Sequence, residues 1–412
     1  MSFANYFRAQ APARLRRVAL SIDLVPAVRV LSAYNMRKLR ADSQAALNVA
    51  LLAFPQGLAY AMIAGLPISF GLFGSAIAGL VGAIFAGSRF VAMGPTNATA
   101  VLTLSAFLAA GATEAGMVFL VPLLLLLVGA MQIGAAYMNI GSLISYISRS
   151  VIVGYISAAA VLIIVNQIKN LTGMTVPDSP TLIGVLSATV TRLHLAHWPT
   201  VAVAAGTAGA YLLLARFTPR LPNVALALVV SIGFGLLAKE LGHPVAMLPS
   251  VPVSSFGFSV PDINFGQINQ FASAALAIAF LGILEASSIG KSLAARAGDR
   301  LHTNQEIFAL GMANIGCSFF GGMPASGSLT RSALAADSGS ATSFTSLISG
   351  AICLALVFGL GGLLGYVPRA ALAVVVVFVA ISLINIRQIK FVTRATPTDA
   401  AVFTVTAGSA LL

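Results

Sequence analysis

Charge is scarce in this sequence. Only 8% of its 412 residues are Asp, Glu, Lys or Arg, against about 25% in a soluble domain, and folding in water does not explain such a deficit. Cysteine is almost missing: Cys317 and Cys353 stand alone in apolar segments. They lack the paired spacing of a metal or redox site and read as small core residues. The four histidines lie near loops or surface segments. No His, Asp and Glu are spaced as metal ligands or as a nucleophile with its base, which argues against a membrane-embedded enzyme and implies no cofactor. The first 30 residues show no compact apolar region followed by a small-residue cleavage site, so no cleavable leader is expected.

What is present is apolar length. The chain is 58% hydrophobic, with a mean hydropathy of +0.96. Runs such as Val118–Ala136, Val151–Val165, Val224–Ala238 and Ala370–Ile384 approach the ~17–25 residues that cross a bilayer. About twelve or thirteen such segments can be counted, some short or broken. The fold class is therefore an all-α polytopic membrane protein. Lys and Arg outnumber Asp and Glu by 23 to 11, and eight of the 23 precede Ala41. A basic flank there holds the N-terminus in the cytoplasm, and the surplus needs no nucleic acid to explain it. Later basic groups at Arg89, Arg149, Arg216 and Arg220, Lys291 to Arg300, and Arg387 to Arg394 recur mostly on one side as the spans alternate. The stretch "TLIGVLSATVTRLHLAHW" reads as amphipathic and lying at the outer surface. A Pro/Ser-rich connector, residues 242–267, divides the chain into halves.

Two spans are broken from within. In "RFVAMGPTNATAVL", Gly94 and Pro95 interrupt apolar sequence, and Thr96, Asn97 and Thr99 follow at once. A shift of 229 positions lays "AMGPTNATAVL" on "GGMPASGSLTR", Pro95 on Pro324, and also lays span 1 from Leu47 on the segment from Leu276, with Gln56 falling on Glu285. One offset relating two separate pairs argues for an internal repeat. Span 1 leaves the cytoplasm and its partner, span 8, enters it, so the repeats are inverted, as in many secondary transporters. Each broken segment then reaches the membrane middle as extended chain, breaks at Pro95 or Pro324, and continues as a half-helix. The unpaired N–H groups and positive dipole ends of the two half-helices converge there. Lipid cannot satisfy them, whereas a small anion can.

Candidate residues follow from that geometry. Thr96, Asn97, Ala98, Ser326, Gly327 and Ser328 are small and let a ligand approach the backbone. Arg331 would add its charge to the dipoles or form a salt bridge, Glu285 being one partner. Glu285, in mid-span, could carry a proton or snorkel toward Lys291. Gln56 could donate to a ligand or cap the backbone disturbed by Pro55. Tyr60, one turn on, could wall the pocket or only pack. Asp337 and Glu306 lie nearer helix ends and are expected to be exposed.

The segments "FPQGLAYAMIAGLPISFGLF", "GSRFVAMGPTNA" and "TNQEIFALGMANIGCSFFGGMPASGSLTRSAL", with the Glu285 segment, resemble the sulfate permease family, also called solute carrier family 26, from about Asp42 onward. The resemblance implies a 7+7 inverted-repeat, fourteen-span fold with spans 3 and 10 broken. Residues 42–140 (spans 1–4) and 268–364 (spans 8–11) would form a core domain. Residues 141–241 (spans 5–7) and 365–412 (spans 12–13, the chain stopping near span 13) would form a gate, with 1–41 a basic cytoplasmic segment. The core would move against the gate in an elevator-like step. Members are usually homodimers with a cytoplasmic STAS domain, which this chain does not reach. The anion would lie between spans 3 and 10, at positions matching Gln56, Tyr60, Pro95, Ser328, Thr330 and Arg331. Sodium-coupled bicarbonate members carry Asp where Glu285 stands; Glu suggests a coupling proton instead. The resemblance points to a bacterial inner-membrane member and to symport of a dicarboxylate such as fumarate, of sulfate, or of bicarbonate. A nucleobase symporter of the same fold, an exchanger or sodium-coupled bicarbonate carrier, and a voltage-responsive member without transport stay open.

Overall fold

The computed structural model describes residues 22–111, 114–141, 149–174, 182–218, 223–252, 256–261 and 265–411. The first residue of the expected surface stretch at 181–198 falls outside them, as do Arg220 and two short parts of the connector, 253–255 and 262–264. After a short α1 (Ala27–Ser32), Asn35 opens α2 (Met36–Ile63) by accepting the Lys38 N–H at 3.0 Å. Pro55 lies inside α2, where its ring removes one backbone donor. Helix α3 (Ile68–Phe85) crosses α2 so closely that a Cβ on Gly57 would lie 2.6 Å from the Gly71 carbonyl oxygen.

A three-residue strand, β1 (Met93–Pro95), then feeds α4 (Asn97–Ala109), α5 (Glu114–Tyr137) and α6 (Arg149–Thr172). Helix α7 (Leu182–Thr191) is short, and α8 (Trp198–Phe217) and α9 (Asn223–Glu240) complete the first half. The second half repeats the order: α10 (Phe265–Ala297), α11 (Thr303–Phe319), strand β2 (Ala325–Gly327), α12 (Leu329–Asp337), α13 (Phe344–Leu360), α14 (Arg369–Leu383), α15 (Ile386–Ala395) and α16 (Pro397–Leu411). Among the described residues, nine helices are long and apolar enough to cross a membrane. Large apolar side chains such as Leu212, Leu213 and Val229 point outward, 56%, 61% and 63% exposed, a surface fit for lipid rather than water.

The two halves interlock. Helix α3 packs on α13 and α5 packs on α11, while each repeat's first span, α2 or α10, packs on the other repeat's half-helix, α12 or α4. Glycines set both cross-repeat crossings. A Cβ on Gly79 would meet the Ser346 carbonyl at 3.0 Å, and one on Gly311 would meet the Gly129 carbonyl at 2.9 Å. Gly79 and Gly311 are 232 positions apart, and so are β1 and β2. The structural repeat is therefore three residues longer here than the shift that superposes the two prolines. Pro95 ends β1, but Pro324 precedes β2, and α12 starts only at Leu329. The chain breaks near both prolines, but β2 separates Pro324 from the half-helix, whereas Pro95 stands within β1.

Beside this group, α6 packs on α14 and α16, and α8 packs on α9 and α14. The connector is pinned to the start of α14: Leu248 N–H bonds the Val367 carbonyl and Arg369 N–H bonds the Ala246 carbonyl, both at 2.8 Å. Cys317 and Cys353 are buried and unpaired, as expected of small core residues.

Candidate functional site

Strands β1 and β2 meet antiparallel, Met93 opposite Gly327, Gly94 opposite Ser326 and Pro95 opposite Ala325. Two more bonds extend the contact: Ser328 N–H to the Ala92 carbonyl at 3.0 Å, and Ala92 N–H to the Ser332 hydroxyl at 2.9 Å. Pairing satisfies the extended chain where lipid could not. Each strand then turns directly into a capped half-helix. Thr96 caps α4 by accepting the Thr99 N–H at 3.3 Å, and the Thr99 hydroxyl accepts the Thr96 N–H at 3.1 Å, a reciprocal box. Ser328 caps α12 by accepting the Arg331 N–H at 3.4 Å. The caps take one donor each and leave the other first-turn amides unpaired within the helix, at its positive dipole end.

The first spans contribute one polar group apiece. Glu285 of α10 accepts the Ser326 hydroxyl at 2.6 Å and the Thr96 hydroxyl at 3.2 Å, both on Oε2. One carboxylate thus holds β2 and the cap of α4 together. Gln56 of α2 donates to the Thr330 hydroxyl at 3.4 Å, and Thr330 lies 3.3 Å from the Ser328 hydroxyl. Gln56 and Glu285 occupy matching places, each at the start of the opposite repeat's half-helix. Tyr60 is buried one turn beyond Gln56 on α2. Asn97 and Ala98 form the first turn of α4, Asn97 half-buried and Ala98 buried. A Cβ on Gly327 would lie 2.6 Å from Ala286 Cα, so α10 rests directly on β2.

Arg331 is 2% exposed. Its Nη2 donates to the Pro95 carbonyl at 2.6 Å, and its guanidinium fills the space where a Gly94 side chain would stand. It forms no ion pair with Glu285 or any other described residue; the ion pair found joins Arg29 and Asp23. Arg331 Nε and Gln56 Oε1 are buried without a hydrogen-bond partner among the described residues. Residues of both broken segments and of both first spans thus meet at the β1–β2 crossing, with a buried positive charge behind the strands and Glu285 beside them.

Sequence reasoning missed the supports. Asn314 of α11 clamps β2 from behind: its amide accepts the Ala325 N–H at 2.8 Å and donates to the Ala325 carbonyl at 3.1 Å and to Gln132 at 2.9 Å. Two amides in apolar spans were the available signal. Asp42 is fully buried and accepts from Ala341, Thr342, Thr345 and Tyr34 at 2.6–3.0 Å. Glu306, expected to be exposed, is fully buried and accepts the Gly87 N–H at 3.1 Å. Its partner is backbone more than two hundred residues away, which no helix-end rule reveals. Asp337 is exposed, as expected. Among the described residues no cluster of His, Cys, Asp and Glu could hold a metal.

The profile of the sulfate permease family matches residues 39–406. The chain belongs to that family. Sulfate permease members are anion transporters rather than enzymes. A probable sulfate transporter of Mycobacterium tuberculosis is 32% identical over 379 residues, 91% of this chain and 67% of that protein. The chloroplastic sulfate transporter 4.1 of Arabidopsis thaliana is 29% identical and human solute carrier family 26 member 6 is 28% identical; the chain spans 58% and 51% of their lengths. Among solved structures, the transmembrane domain of the cyanobacterial bicarbonate transporter BicA superposes with a TM-score of 0.83 at 20% identity, covering 92% of this chain and 96% of that one. SLC26A9 gives 0.84 at 20% identity, covering 99% and 68%. These likenesses show the family's membrane fold, and the inverted 7+7 organisation fits it.

Proposed function

We propose that the protein is a secondary active transporter that carries a small oxyanion across the bacterial inner membrane together with a proton. The observation that carries this reading is the crossing itself. Two capped half-helices direct unpaired amides toward one place, Arg331 adds a full positive charge behind β1, and Glu285 is the single carboxylate bonded there among the described residues. Such a place attracts an anion. Ionised, Glu285 repels it; protonated, Glu285 does not, so proton and anion bind together. The related proteins named for sulfate and bicarbonate make those anions candidates, with a dicarboxylate such as fumarate.

The movement we propose is elevator-like. Residues 42–140 and 268–364 would travel as a core carrying the site, against a gate of 141–241 and 365–412. The mutual packing of α6 with α14 and α16, and of α8 with α9 and α14, supports that division. The N-terminus would lie in the cytoplasm and the working unit would be a homodimer. A nucleobase symporter would want a carboxylate from the second half-helix to bond the base, and α12 offers Arg331 there.

Uptake of labelled fumarate, sulfate, bicarbonate and uracil into proteoliposomes, with and without an acid-outside gradient, tests this. We expect accumulation of one of the anions, stimulated by the gradient. Uracil uptake, or an accumulation that follows sodium and ignores pH, would overturn it.

A further inference from the structure

A basic stripe runs along α15, the short helix between α14 and α16. Asn385 opens α15 by accepting the Gln388 N–H at 3.1 Å. Thr396 closes it and opens α16, accepting the Asp399 N–H at 3.0 Å. Arg387, Lys390 and Arg394 are spaced i, i+3 and i+7, which sets them on one face. All three are exposed, and with Phe391 and Ala395 they line one shallow depression. Ile386 and Phe391 flank the stripe, 61% and 63% exposed. Val392, on the opposite side, is buried, and α15 packs on α16 and α6. We infer that α15 is a docking surface for anionic phospholipid headgroups of the cytoplasmic leaflet.

Like charges at this spacing repel one another, and the helix itself explains only part of them. Arg394, in the last turn, complements the helix dipole. Arg387, in the first turn, opposes it. None of the three cations forms an ion pair with a described residue. Asp399, the next acid along the chain, accepts instead from the Ser150 hydroxyl at 2.6 Å and the Thr396 hydroxyl at 2.8 Å. On the cytoplasmic side the segments outside the described residues, 1–21, 142–148 and 219–222, contain no Asp or Glu, so they bring no compensating charge. The apolar flanks decide the kind of partner. A soluble anion needs charge alone, whereas exposed Ile386 and Phe391 beside the cations make the pairing of an interfacial helix, apolar groups at the acyl boundary and basic groups at the headgroups. Helix α15 joins the ends of two apolar helices, on the side that the basic loops mark as cytoplasmic. Lys and Arg at that level are drawn to anionic lipid.

The inference rests on the membrane topology and not on the anion or the coupling proposed above, so its test needs no transport. The sequence holds one tryptophan, Trp198, which is 75% exposed. Trp198→Phe with Phe391→Trp therefore leaves a single fluorescent reporter, placed on α15. The protein is reconstituted in phosphatidylcholine vesicles containing a minority of phosphatidylglycerol, with bromine on the acyl chains of one lipid or of the other. Bromine quenches tryptophan on contact, so the two quenching levels report which lipid sits at α15. We expect phosphatidylglycerol to be enriched there roughly threefold or more over its share of the bilayer. Adding Arg387→Gln, Lys390→Gln and Arg394→Gln should abolish the enrichment. Arg387→Lys with Lys390→Arg and Arg394→Lys keeps three charges and should keep the enrichment, separating charge from folding. Sodium phosphate should displace the lipid no more than sodium chloride of equal ionic strength; a larger displacement would show a site for free phosphate and overturn the lipid assignment. Phosphatidylglycerol at no more than its bilayer share, enrichment that survives loss of the three charges, or no quenching by either lipid would overturn it as well.

Discussion

The guanidinium of Arg331, on the second half-helix, donates to the carbonyl of Pro95, on the first strand, across 2.6 Å. One buried cation therefore belongs to both repeats at once. It accepts no help from Glu285 and keeps one nitrogen unpaired, so its charge is available to whatever enters the crossing. Arg331→Ala should remove a charge-assisted contact worth about 1.5–3 kcal/mol, raising the KM for the anion roughly tenfold or more. Arg331→Lys keeps the charge but cannot fork, and should fall between. Anion KM unchanged in both variants would return Arg331 to a structural tie.

Gly94 is predicted to act through Arg331. Any side chain at this position, which has φ 156°, collides with the guanidinium. Gly94→Ala should displace it and impair transport as Arg331→Ala does. Kinetics of both single variants and the double variant check this: the double should be little worse than either alone, since neighbours in contact are not additive. Fully additive losses would mean that the two act separately.

The clamp behind β2 should matter for stability first. Asn314→Leu leaves the Ala325 N–H and carbonyl without their side-chain partner in a buried setting, at about 1–3 kcal/mol for each orphaned group. Thermal unfolding of the detergent-solubilised protein should shift down clearly. An unshifted midpoint would show that β2 holds its conformation without Asn314.

Much of the crossing was legible because broken helices leave local marks. Gly94–Pro95 cannot continue a helix, and Thr96 and Ser328 are cap residues placed after such breaks. Inversion could be read from the charge alternation of the loops. The register could not: superposing the prolines gives 229, while caps and strands give 232, because Pro324 lies outside β2 and Pro95 inside β1. Backbone partners were equally hidden. The target of Arg331 is a carbonyl, that of Glu306 an N–H, and those of Asp42 include two N–H groups, and main-chain groups carry no sequence signature.

Asp42 carries a prediction of its own. It gathers Tyr34 before α2 and Ala341, Thr342 and Thr345 around the start of α13 on one carboxylate. Asp42→Asn turns part of an acceptor-only group into a donor facing donors. The cost should be about 1.5–3 kcal/mol, the scale of bonds to a charged group, read as a lower unfolding midpoint. Anion KM in the surviving protein should be unchanged, since Asp42 lies away from the crossing; a raised KM with unchanged stability would contradict this.

Coupling through Glu285 is tested most directly by paired fluxes in the same vesicles. Glu285→Gln imitates the protonated carboxyl and can still receive the hydroxyls of Ser326 and Thr96. If the proton travels on Glu285, the variant exchanges anion in counterflow at near-normal rates but no longer accumulates it against a gradient when the outside is made acid. Full acid-driven accumulation by the variant would contradict the coupling.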